Sequence, residues 1–132
     1  MEKELFEAAR DAMAKAHAPY SKFPVGAAIR AEDGNVYKGA NIENLAFPQG
    51  WCAECTAIGA MVMGGAKKIV EIGVIAEKLA YCPPCGGCRQ KIAEFADPST
   101  LIHLYDSAGV VKTIRMPELL PFSFQTDTID KG

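Results

Sequence analysis

Apolar and polar positions change period along this chain, and each change marks an element. Leu5, Phe6, Ala9, Met13 and Ala16 recur at the spacing of one helical face, predicting an amphipathic helix that Pro19 and Pro24 break. The stretches VGAAIRA (25–31) and NVYKGANI (35–42) read as extended, and Glu32-Asp33-Gly34 between them supplies the Asp-Gly pair that suits a hairpin. From about Cys52, CAECTAIGAMVMGG reads as a helix closed by Gly64-Gly65. KIVEIGVIA (68–76) is rich in β-branched residues and predicts a buried strand. GGCRQKIAEFA (86–96) is helical and stops before Asp97-Pro98, because a residue ahead of proline is pushed out of the helical region. LIHLYD (101–106) and VVKTIRM (110–116) predict short strands around Ser107-Ala108-Gly109.

The order α-β-β-α-β-α-β-β predicts an α/β fold, a three-layer α-β-α sandwich around a mixed sheet of about five strands. With 132 residues, 49% of them hydrophobic, the chain suits one domain with one core, spanning 1–132 without internal repeat or linker.

Charge excludes one class of partner. The net charge is −2, Lys67-Lys68 is the sole adjacent basic pair, and no basic stripe with interleaved aromatics appears, so no nucleic acid polymer is expected. The opening MEKELFEAARDAMAKAHA is charged and helical in period, which is not a signal peptide, and no run approaches the roughly 20 apolar residues of a membrane span. The expected location is the cytoplasm, where five cysteines suggest metal or redox chemistry rather than a disulfide framework.

Those cysteines fall in two clusters, WCAECTA (51–57) and YCPPCGGCRQ (81–90), each at the start of a predicted helix. Zinc requires thiolates converging from separate segments, and helix N-termini lower a thiol's pKa while offsetting negative charge. Three arrangements compete. Cys52, Cys55, Cys85 and Cys88 could close a structural tetrahedron; Cys82-Pro83-Pro84-Cys85 could be a redox pair; or three cysteines could hold zinc with water in the fourth position. The redox pair is the weakest, since both thiols precede the helix and Pro-Pro restricts the turn. The structural tetrahedron leaves Glu54 wedged between ligands, where a further negative charge is costly, and a chain with its own core has less need of a metal staple.

Cys52-Ala53-Glu54 followed by Pro84-Cys85-Gly86-Gly87-Cys88 resembles the bipartite signature of the zinc-dependent cytidine deaminase superfamily. PYSKFPVGAA, GANIEN, CRQKIAEF and ELLPFSF resemble, in the same order, segments of the small homotetrameric cytidine deaminases that act on free nucleosides, from about Ala9 to Phe124. The resemblance implies one Zn²⁺ per subunit on Cys52, Cys85 and Cys88, and Glu54 as the general acid and base that carries protons during attack at C4 of cytosine. It implies Asn41 and Glu43 on the ribose hydroxyls, which alternation along a strand would place on one face. It also implies Phe23 packed on the nucleoside and Phe124 reaching a neighbouring subunit's site in a homotetramer with shared active sites. His17 and His103 match no ligand position and read as structural.

Cys55 departs from the pattern, since many relatives carry arginine there to offset the surplus charge of three thiolates. The expectation is a neutral, buried, non-ligand thiol, with the charge offset by helix dipoles, hydrogen bonds or Arg89. Cys82 reads as a bystander. The implied activity is hydrolytic deamination of cytidine and 2′-deoxycytidine. The alternatives are a deaminase of a related cytosine compound such as blasticidin S, against which Asn41-Ile42-Glu43 argues, and a non-catalytic module held by structural zinc.

Overall fold

The structure, a computed structural model, describes residues 2–123. Helix α1 (Glu2–Met13) is followed by the hairpin β1 (Val25–Ala31) and β2 (Val36–Ala40). Helix α2 (Ala53–Met63), strand β3 (Ile69–Ala76) and helix α3 (Gly86–Phe95) come next, then β4 (Leu101–Tyr105), β5 (Val111–Arg115) and a short α4 (Met116–Leu119). The strands form one mixed sheet in the order β2-β1-β3-β4-β5, in which β3 and β4 are parallel and the other neighbours antiparallel.

The hairpin turns where Asp33-Gly34 predicts it, with Gly34 at φ 82°, a left-handed conformation that favours glycine. Alternation along β1 then sends side chains to two cores. Ala28 faces α1 with Leu5, Ala9, Ile75 and Tyr105, while Ala27 and Ile29 face α2 and α3 with Ala57, Met61, Ile72 and Ile92. The result is the expected three-layer sandwich. Two glycines set its thickness: a Cβ on Gly26 would lie 2.0 Å from the Ala9 carbonyl oxygen of α1, and one on Gly39 would lie 2.4 Å from the Ala57 nitrogen of α2. Both helices therefore press backbone to backbone against the sheet.

Some boundaries differ from the sequence-based expectation. The first helix ends at Met13 rather than running to Ala16, because the His17 N–H donates to the Asn41 carbonyl (2.9 Å) and the Glu43 N–H to the His17 carbonyl (2.8 Å). The same bridge stops β2 at Ala40, and Ile42 then pairs with Trp51. Helix α4 was not expected. Its start is fixed by Glu118, whose carboxylate accepts the Arg115 N–H at 2.9 Å, and by Pro117 in the first turn.

Register decides where the chemistry gathers. Val25 pairs with Ala76 and Gly26 with Ala40, so the start of β1 and the ends of β2 and β3 share one edge of the fold. The chain leaving β2 leads to α2 and the chain leaving β3 leads to α3, so both helix N-termini open at that edge. A crevice outside the carboxyl ends of strands is where open α/β sheets bind ligands. Among the described residues no helix is long and apolar enough to cross a membrane.

Candidate active site

Cys52 is the N-cap of α2, Cys85 the N-cap of α3, and Cys88 lies in the first turn of α3. Their three sulfur atoms lie within 4.8 Å of one another, with Cys52 Sγ and Cys85 Sγ 3.8 Å apart. Thiolates at about 2.3 Å from a tetrahedral zinc are about 3.8 Å from each other, so the donor set and its spacing fit one Zn²⁺ per subunit. Cys88 is fully buried, Cys52 half-buried and Cys85 exposed, which leaves the group closed behind and open in front.

The thiols polarise one another. Hydrogen bonding from Cys88 brings the Cys52 thiol down to about 6, against the opposing effect of burial, with a smaller contribution from Cys85. Cys88, as the donor to Cys52 and buried besides, is pushed well above the ordinary thiol range. Glu54, in the first turn of α2, is 5% exposed. Burial raises its carboxyl to about 7, and the neighbouring Cys52 thiolate adds to the rise, against opposition from the Glu54 N–H itself. A carboxyl poised near neutrality beside a three-thiol group can both take and give a proton.

Lys91 is a basic group near the cluster that the sequence reading did not single out. The Arg89 guanidinium donates from Nε to the Pro84 carbonyl and from a terminal nitrogen to the Leu119 carbonyl, both at 2.9 Å, and so anchors the loop that carries Cys85. Lys91 places its Nζ 3.8 Å from where a Gly87 side chain would begin, and its charge favours the ionised forms of Cys52 and Glu54. Cys55 stands outside the three-thiol group and is half-buried, where the sequence reading expects a buried thiol.

Phe23, Asn41, Glu43, Cys52, Glu54 and Cys85 line one cavity of about 340 Å³. Cys82 lines it too, half-buried, its thiol raised by burial and by the charge of Glu54. No lysine, arginine or histidine is among the described residues that line this cavity. Phe124 lies outside the described residues.

Asn41 and Glu43 sit just past β2 rather than on it, in the segment bridged to His17. Both nevertheless turn toward the loop ahead of β1. Asn41 Oδ1 accepts the Val25 N–H and its Nδ2 donates to the Phe23 carbonyl, each at 2.9 Å. Glu43 Oε1 accepts the N–H groups of Tyr20 and Ser21 at 3.0 Å, and Oε2 accepts the Ser21 hydroxyl. The Ser21 hydroxyl first, then these backbone donors, hold the Glu43 carboxyl below the ordinary carboxylate range. Within PYSKFPVGAA the sequence points to Phe23 alone, and Ser21 is the functional neighbour that sequence reasoning misses. The only signal was a hydroxyl residue inside a Pro-flanked loop, which reads as ordinary turn chemistry.

The histidines fill structural places. His103 is buried, with Nε2 2.7 Å from Glu71 Oε1 and Nδ1 2.8 Å from Thr113 Oγ1, and His17 joins the chain to Asn41 and Glu43 through its backbone.

Comparison with known proteins bears on this arrangement. Residues 1–104 match the cytidine and deoxycytidylate deaminase zinc-binding region. The chain is 40% identical over 126 residues to a cytidine deaminase of Sporosarcina psychrophila, covering 96% of this chain and 93% of the relative. A cytidine deaminase of Halalkalibacterium halodurans is 39% identical, with 96% of both chains covered. A crystal structure of cytidine deaminase from Burkholderia pseudomallei superposes with a TM-score of 0.88 at 37% identity, covering 94% of this chain and 99% of that one. The match spans both thiol-bearing helix starts and the sheet edge between them, and the chain belongs to the cytidine and deoxycytidylate deaminase family.

Proposed function

We propose that this protein hydrolyses cytidine and 2′-deoxycytidine to uridine and 2′-deoxyuridine, releasing ammonia. One observation carries the reading: a buried carboxyl, Glu54, stands beside three convergent thiols in the wall of a cavity that also holds Asn41, Glu43 and Phe23. In this reading Cys52, Cys85 and Cys88 hold zinc, which when bound makes a nucleophile of water at neutral pH.

The remaining work falls to the chain's own groups. Glu54 accepts a proton from the attacking water and delivers it to ring N3 as C4 becomes tetrahedral. It then takes the proton of the new C4 hydroxyl and passes it to the amino group, so that the C4–N bond breaks, C4=O forms and ammonia leaves. Its titration near neutrality suits both transfers. Phe23 packs against the nucleoside, and Asn41 and Glu43 receive the ribose hydroxyls. Among the described residues, the cavity lining offers carboxylates and thiols and no cation, which disfavours a phosphate and supports a nucleoside over a nucleotide. The working assembly is a homotetramer in the cytoplasm, with Phe124 of a neighbouring copy closing each cavity.

A panel of cytidine, 2′-deoxycytidine, cytidine monophosphate, cytosine and blasticidin S, followed by ultraviolet absorbance on zinc-loaded protein, tests the reading. Turnover of the two nucleosides alone is expected. Turnover confined to blasticidin S or to the monophosphate, or none at all, overturns it.

A further inference from the structure

The loop between α1 and β1 is tied to the segment after β2 through Glu43, and the chemistry of those ties assigns a role to Ser21. An ionised carboxylate only accepts hydrogen bonds and a backbone N–H only donates. Glu43 Oε1 takes two N–H groups, from Tyr20 and Ser21, which uses both of its in-plane lone pairs. Oε2 takes one bond, from the Ser21 hydroxyl. That hydroxyl gives its single proton to Oε2 and, through a lone pair, accepts the Phe23 N–H at 3.1 Å. Ser21 therefore joins two residues of the cavity wall, Glu43 and Phe23, and itself lines the cavity.

We infer that Ser21 is a positioning residue for the nucleoside's sugar: its hydroxyl fixes Glu43 so that Oε2, the one carboxylate oxygen with a lone pair to spare, faces the ribose hydroxyls. The inference rests on the nucleoside deaminase reading above. It also divides the labour within the carboxylate. Oε1 holds the loop, and Oε2 is shared between Ser21 and the ligand. A hydroxyl donor to a carboxylate is among the stronger hydrogen bonds, so losing it leaves Oε2 free to rotate away or to hydrate.

The test compares Ser21→Ala with wild type on two ligands, cytidine as substrate and 2′,3′-dideoxycytidine as competitive inhibitor. Losing one charge-assisted hydrogen bond to the binding group raises KM for cytidine about tenfold with kcat little altered. The inhibition constant of the dideoxy analogue, which offers no 2′ or 3′ hydroxyl to Oε2, stays within about twofold of wild type. Ser21→Thr keeps the hydroxyl and returns KM for cytidine toward wild type. Should Ser21→Ala fail to fold, Ser21→Cys, with its weak donor and untouched backbone bonds, carries the same comparison. An unchanged KM for cytidine overturns the inference. So does an equal loss on both ligands, which would mark a displaced Phe23 loop rather than a misplaced carboxylate. Wild type without turnover on cytidine overturns the underlying reading, whereas turnover with no effect of Ser21→Ala overturns this inference alone.

Discussion

Replacing Glu54 by glutamine in metal-free protein isolates the energetic cost of the buried carboxyl. The group titrates at about 7 in the fold against an ordinary 4.5, chiefly because burial penalises its charge. Between those two values the folded state binds more protons than the unfolded chain, so stability falls as pH rises through the interval. At about 1.4 kcal/mol per pH unit, the loss amounts to about 3 kcal/mol once pH exceeds 7. Glutamine has nearly the same shape and no charge to bury. Glu54→Gln should therefore match wild type near pH 4.5 and exceed it progressively above, by up to about 3 kcal/mol near pH 8. The Cys52 thiolate titrates in both proteins and cancels to first order in the difference, although relief of its repulsion with Glu54 acts in the same direction. Urea denaturation of both proteins across that range, with chelator and a reductant present, reads the difference directly. A stability difference that does not change with pH, or that runs the other way, refutes the assignment of a desolvated carboxyl at this position.

Further outcomes follow from the same geometry. Gly26→Ala drives a Cβ to within 2.0 Å of the Ala9 carbonyl oxygen and 2.6 Å of the Met13 nitrogen, contacts that backbone cannot yield, so chemical denaturation should show a loss of about 3 kcal/mol. Cys82→Ser leaves the three-thiol group whole and should retain one zinc per chain after dialysis, whereas Cys88→Ser removes the buried member and should lose it. Metal analysis of the two variants separates these results, and zinc loss from Cys82→Ser would argue for a different ligand set.

The strands and principal helices were legible because their patterns are local. Apolar spacing located α1, Asp33-Gly34 located the hairpin, and Pro98 located the end of α3, each through a rule that needs no tertiary knowledge. The cysteine clusters were legible for a related reason. Cys52 and Cys85 each precede a helix, and because β2 and β3 both run antiparallel to β1, the helices that follow those two strands start at the same edge of the sheet. What stayed hidden depends on contacts between distant segments. The early end of α1 follows from the bond between His17 and Asn41, and the charge of Lys91 reaches Cys52 and Glu54 only through the way α3 packs beside α2. Ser21 carries no sequence signal of its own, since its importance lies in which carboxylate oxygen it meets.

The central claim is that Glu54 carries the protons of deamination while three thiols hold the metal beside it. The most direct measurement is cytidine turnover by zinc-loaded Glu54→Gln, with zinc content determined on the same sample. General acid and base catalysis by a positioned carboxyl contributes about 10²–10⁴-fold, so the variant should keep one zinc per chain and lose at least about a hundredfold in kcat. Turnover close to wild type with zinc in place would contradict the account.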